Sequence, residues 1–216
     1  MCRNPAVALA AGLLLATTSL ALDWKAKTLS VATAPFQTTQ DVAFEFKNNS
    51  GKSVTILDIE TSCDCLDATA DLKVYAPGAT GAIKAKFTVG DRIGLYERVV
   101  TVVTDEPDSP VRLIMKIDVP AVATLEPARV AWQVNEASAE KSVELTPAAG
   151  IEIVFSAARV TNAAFTARLE TVVEGKHYRL QIKPGDTSKP ISAAIRIFGR
   201  DKDGHDVVLS AYADIQ

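Results

Sequence analysis

The chain has 216 residues, with 23 basic and 26 acidic side chains and a formal net charge of −3. Its Lys and Arg are scattered, no basic run is interleaved with aromatics, and this mild acidity argues against a nucleic-acid-binding surface. Val, Ile and Thr are plentiful in an otherwise ordinary globular composition, as strands prefer.

Residues 1–21 read as a secretory signal peptide. Arg3 supplies the positive start, Ala6 to Leu20 is uncharged and apolar, and Ser19-Leu20-Ala21 offers small residues to a signal peptidase. Cys2 precedes the apolar run rather than ending it, so it is not read as a lipid anchor. No later segment reaches the roughly eighteen apolar residues of a membrane span. The expected product is a periplasmic or secreted chain of about 195 residues, enough for one large β-domain or two of about a hundred.

Residues 22–37 are taken as a lead-in, after which the period is that of strands. Val42, Phe44 and Phe46 alternate with Ala43 and Glu45, and Asn48-Asn49-Ser50-Gly51 reads as a turn. Val54 to Ile59 is a second apolar run, and Leu66 to Tyr75 a looser stretch closed by Ala76-Pro77-Gly78. Ile83, Ala85, Phe87 and Val89 alternate next. Gly94 to Thr104 fits a central strand, and Val111 to Val119 a closing one. Turn signals about every ten residues, with no helical run, predict an antiparallel sandwich of about seven strands over 38–122.

Residues 123–127 read as a linker, and 128–216 as a second sandwich. Val130, Trp132 and Val134 open it, and Ile191, Ala193, Ile195 and Ile197 precede Asp201-Lys202-Asp203-Gly204 near its end. In both halves a Pro-Gly turn (Pro77-Gly78, Pro184-Gly185) precedes an Ile-rich alternating strand, which suggests a loose repeat. The fold class expected is all-β, two immunoglobulin-like antiparallel sandwiches in tandem; one continuous larger sandwich is the alternative.

Phe44 to Gly51, Val54 to Ile59, Thr61-Ser62-Cys63-Asp64-Cys65, Tyr75-Ala76-Pro77-Gly78, Gly81 to Phe87 and Gly94-Leu95-Tyr96 together resemble domain-of-unknown-function family 1573. The resemblance covers about residues 38–122. It implies an exported bacterial protein with an immunoglobulin-like sandwich akin to ASH-type binding or scaffolding domains. The family usually carries Cys-Gly-Cys where this chain has Asp64 in the middle, which changes backbone freedom and local charge. The family itself brings no activity.

Cys63 and Cys65 are the candidate site. In an extended strand residues i and i+2 share a face with Cα atoms about 6.6 Å apart. An unstrained disulfide prefers about 5.5–6 Å, so a bend at Asp64 is needed to join them. The ring so closed spans one residue and removes little unfolded-state entropy, making it a poor staple. A packing or structural role, a disulfide included, is the default in an oxidising compartment. Metal is the next reading: two thiolates on one face suit copper, as Cu(I), better than zinc, which wants four ligands. Thiol–disulfide exchange ranks third, because it calls for a nearby cation while Asp64 and Glu60 put negative charge beside the thiols.

Other candidates are weaker. Asp201 to Asp206 echoes a calcium loop but lacks its later acidic residues, and Asp-Gly between strands reads first as a hairpin. His177 is expected at an exposed strand end and Trp132 in the core. No nucleophile elbow, phosphate loop or dinucleotide fingerprint is present in the sequence. The function expected is therefore a non-enzymatic exported binding or scaffolding protein, meeting an unidentified protein partner at sheet edges or loops, without a resident cofactor. The alternative is a periplasmic copper-binding or thiol-redox protein that uses Cys63 and Cys65.

Overall fold

A computed structural model describes residues 22–216, so the predicted signal peptide, with Cys2 and Arg3, lies outside the described residues. No helix of the described residues is long and apolar enough to cross a membrane. The first sandwich contains β1 (Leu22–Trp24), β2 (Thr28–Ala32), β3 (Thr39–Asn48), β4 (Val54–Thr61), β5 (Leu66–Ala70), β6 (Val74–Tyr75), β7 (Thr80–Thr88), β8 (Gly94–Thr104) and β9 (Val111–Val119). One sheet has the order β1-β3-β7-β5 and the other β2-β9-β8-β4-β6. Residues 22–37, expected to be a lead-in, instead supply an edge strand to each sheet. Three to five residues show too little of a period-two pattern to be read locally, and only pairing makes them strands.

Alternation builds the core. On β3, Phe44 and Phe46 point inward while Ala43 and Glu45 are exposed; Ile83, Ala85 and Phe87 do the same on the neighbouring β7. From the facing sheet come Val100, Val102, Leu113, Met115 and Ile117, all buried. Two features escape the alternation. A bulge between Ile56 and Asp58 leaves Leu57 without a partner on β8, and its side chain turns to solvent. Asn48, read in the sequence as a turn residue, is the fully buried last residue of β3. Its Nδ2 donates to the Lys52 and Tyr75 carbonyls, 2.8 Å each, and its Oδ1 accepts from Ser50 N and Oγ at 2.9 and 2.7 Å.

Gly81 shows why one position of β7 has no side chain. A Cβ there would stand 2.2 Å from Tyr75 Cε1 and 2.8 Å from Phe46 Cζ, so the two rings occupy its place. Those rings meet edge to face, 4.7 Å between centroids.

The second sandwich contains β10 (Ala123–Glu126), β11 (Arg129–Trp132), β12 (Lys141–Pro147), β13 (Ile153–Val160), β14 (Phe165–Val173), β15 (His177–Pro184), β16 (Ile191–Asp201) and β17 (Asp206–Ile215). Its sheets are β10-β12-β15-β14 and β11-β17-β16-β13. The predicted linker 123–127 is thus largely β10, paired antiparallel with β12 from Ala123↔Pro147 to Glu126↔Glu144. β11 pairs with β17 in parallel, as β2 does with β9, where Ile114 N donates to Lys27 O and Thr33 N to Asp118 O. Trp132, Phe155, Phe165, Tyr178, Leu180 and Ile195 lie in the core. By contacts the described residues fall into two compact units: 22–31, Thr39–Thr88 and Glu97–Lys116 in one; Ala32–Thr38, Val89–Tyr96 and Ile117–Gln216 in the other. Four separate sheets arranged as two immunoglobulin-like sandwiches replace the continuous-sandwich alternative.

The repeat read from the Pro-Gly turns has a counterpart in hydrogen bonds. In each unit a buried tyrosine hydroxyl accepts the amide of the residue three before it: Leu72 N to Tyr75 Oη at 3.1 Å, Gly175 N to Tyr178 Oη at 2.8 Å.

Candidate functional site: the Cys63–Cys65 crossover

β4 belongs to one sheet and β5 to the other, so the chain must cross between sheets within Ser62–Cys65. It does so in a turn closed by Leu66 N donating to Cys63 O at 3.1 Å. Both ends are tied to neighbouring strands. Ser62 N donates to Val99 O and Val99 N to Ser62 Oγ, each at 3.0 Å, while Thr88 N donates to Cys65 O at 2.8 Å.

Within this turn Cys63 and Cys65 are joined by a disulfide, with Cα atoms 5.2 Å apart. The bend at Asp64 brings them below the extended-strand spacing. Both cysteines are half-buried and Asp64 is exposed. Immediately after the turn Leu66 opens β5 and pairs with Phe87 on β7, and both side chains are buried.

The sequence reading saw only acidic neighbours for the pair. The structure corrects this: Arg98, from β8, donates its Nε to Cys65 Sγ at 3.3 Å. Its guanidinium lies 5.8 Å from the centroid of the Phe87 ring, and its Nη1 donates to the Glu97 carbonyl at 2.9 Å. Thr61↔Val100 pairing on β4 and β8 places Arg98 level with the turn. No local pattern could show this contact, because its partners are 33 residues apart in sequence. Among the described residues no group of three or more His, Cys, Asp or Glu is gathered as a metal site.

The remaining candidates resolve as follows. His177, expected exposed, is half-buried at the start of β15, with Nε2 2.7 Å from Glu144 Oε2. Arg179 Nε donates to the other oxygen of that carboxylate at 2.7 Å. The Arg179 hydrogen bond holds the Glu144 carboxyl below its usual range, against burial and with help from His177. Asp201 to Asp206 is the β16–β17 hairpin: Asp201 Oδ1 accepts from Asp203 N and His205 N at 2.9 and 2.8 Å. Trp132 is fully buried, and its Nε1 donates to Ala139 O at 2.9 Å.

A second polar pin went unread in the sequence. Asp71 accepts from Tyr75 Oη and, at 3.1 Å, from the Leu72 and Ala82 amides. Burial of Asp71 works to raise its carboxyl, but these bonds prevail and hold it low. Burial and the bond to Asp71 push the Tyr75 phenol from 10 up to about 12. A raised value in the folded state means stability that is fully present below pH 10 and lost as pH rises towards 12. The loss is roughly 2–3 kcal/mol. Urea titrations should show it in the wild type and not in Tyr75→Phe, whose stability should stay flat by comparison over that window.

A search of curated proteins gives no match. Among solved structures, the VesB protease of Vibrio cholerae is similar over 47% of this chain and 32% of its own, at 10% identity and a TM-score of 0.38. The YadV chaperone is similar over 89% of this chain and 100% of its own, at 11% identity and a TM-score of 0.37. An ASH/PapD-like domain of human CEP192 is similar over 54% and 99% respectively, at 11% identity and a TM-score of 0.38. The family match begins at Leu22 rather than 38 and so takes in β1 and β2, and it ends at Val119, with β9. The family model described as protein of unknown function (DUF1573) matches residues 22–119.

Proposed function

We propose that this is an exported, periplasmic or secreted, non-enzymatic protein that binds a protein partner along an edge of its first sandwich. One observation carries the reading. Leu57, Leu72 and Val74 are 58%, 56% and 50% exposed, all on or beside the β6 edge of the five-stranded sheet. β6 is only two residues long, so β4 itself becomes the edge beyond the Ile56 N–Lys73 O bond. Unpaired backbone groups beside apolar side chains are what an added strand uses: the ladder supplies affinity and the side chains supply selection.

A photo-crosslinking residue at position 72, in protein exported by a bacterial host, tests this. A discrete adduct is expected, reduced about tenfold by Leu57→Glu with Val74→Glu, the scale of one lost apolar anchor. The same residue at Lys84, on the outer face of the other sheet, should give none. An empty lane at 72, or the same species from 84, overturns the reading.

A copper-binding or thiol-redox role for Cys63 and Cys65 is the second reading. Arg98 favours the redox half of it: a guanidinium beside the sulfur stabilises a thiolate leaving group but repels an incoming copper ion.

A further inference from the structure

The disulfide is asymmetric. Arg98 Nε meets Cys65 Sγ, whereas at Cys63 it is the backbone carbonyl that is engaged, by Leu66 N and by Thr61 Oγ1 at 3.3 Å. In a disulfide this matters little, because the sulfurs are neutral and weak acceptors. It matters when the bond breaks. Whichever sulfur departs carries a full negative charge, and a departing thiolate of lower pKa leaves faster. At Cys65 that charge forms within hydrogen-bond reach of a cation already held in place by Phe87 and the Glu97 carbonyl. At Cys63 no such donor is found among the described residues.

We propose that Cys63–Cys65 is a thiol–disulfide exchange site with a fixed direction: an incoming dithiol attacks Cys63, and Cys65 leaves as a thiolate held by Arg98. This rests on the thiol-redox reading given above.

In the first step a substrate thiolate forms a bond to Cys63 Sγ while the Cys63–Cys65 bond breaks, and the electron pair passes to Cys65 Sγ. In the second, the other thiolate of the dithiol attacks its own sulfur in the mixed disulfide. Cys63 departs and takes a proton from solvent. The dithiol ends oxidised to a disulfide and the protein pair reduced, two electrons having crossed.

Arg98 is a positioning residue for charge and makes no covalent bond. The carboxylates close to the pair or to Arg98 in the chain, Asp64 in the turn, Asp67 on β5, Glu60 on β4 and Glu97 on β8, carry charge that opposes a thiolate. Asp64, exposed between the cysteines, disfavours an anion on both of them, so the choice between the two sulfurs falls to Arg98.

The test uses the oxidised full chain and reduced glutathione, stopped by acid at partial reaction, alkylated and sequenced by fragment mass. Glutathione should lie on Cys63 and the alkyl group on Cys65, in about tenfold preference. Arg98→Met keeps an unbranched apolar stem of similar reach but removes the cation. It should slow exchange several-fold and erase the preference, while Arg98→Lys restores part of both. Far-ultraviolet dichroism and the melting transition of each variant report folding separately; the wild-type position of glutathione needs no variant. In Cys63→Ser, the Cys65 thiol should alkylate with a pKa below the ordinary 8.5 or so, and rise when Arg98→Met is added. Glutathione on Cys65, or equally on both, overturns the direction and leaves the redox reading standing. No exchange with glutathione or dithiothreitol overturns both.

Discussion

Replacing Asn48 with alanine is expected to destabilise the first sandwich by about 3–4 kcal/mol, more than a surface change at the same turn would. The side chain satisfies two carbonyls and the Ser50 amide and hydroxyl from a position with no exposure. Alanine takes the Asn48 donor from the buried Tyr75 carbonyl and leaves Lys52 O with only Ser50 Oγ at 2.9 Å, while the Ser50 amide loses its acceptor; an unsatisfied buried group costs about 1–3 kcal/mol. Aspartate would be no remedy, since it keeps the acceptor, loses the donor and buries a charge. The chain has two tryptophans, Trp24 in β1 and Trp132 in β11, one in each sandwich. Denaturation of a Trp132→Phe background therefore follows the first unit alone, and the Asn48→Ala midpoint should fall with its slope unchanged. An unshifted midpoint would show that the turn holds without its staple.

The second large effect is expected at Trp132. Truncation to alanine should cost the second sandwich about 3–5 kcal/mol, because the site cannot collapse around so large a void. The ring is fully buried, 6.0 Å from Phe165 between centroids, with Lys141 Nζ 4.9 Å from its own. Its loss also removes the Nε1 donor from the Ala139 carbonyl. In calorimetry the transition of the second unit should drop by roughly 15 °C or more while that of the first stays in place. Trp132→Phe should recover most of the difference. A shift of both transitions together would mean that the two sandwiches unfold as one.

How much of this could be read from the sequence depends on whether the signal is local. β3 and β7 were legible because Phe44, Phe46, Ile83 and Phe87 recur at a period of two, and that period follows from the pleat alone. β1, β2 and β10 were not, because three to five residues become strands only by pairing. The parallel β11–β17 pair was invisible for the same reason. At the candidate site, the spacing of Cys63 and Cys65 gave their shared face and the need for a bend at Asp64. The charge environment was misread, since Arg98 is set beside Cys65 by strand register and not by sequence proximity. Asn48 was taken for an ordinary turn residue: composition marks a turn, but cannot tell an exposed amide from a buried one.

The parallel pairing of β11 with β17 also sets an order of events in time. β17 lies between β11 and β16, so that sheet has no centre until residues 206–215 have been made. β11 must wait about eighty residues for its partner, and closing so long a loop is slow. The first sandwich has all its strands by Val119 and can close while the rest is still being synthesised or threaded. A truncation after Asp201 should therefore leave the second unit without two of its pairings, and with β13 and β16 as an open sheet prone to pair with another chain.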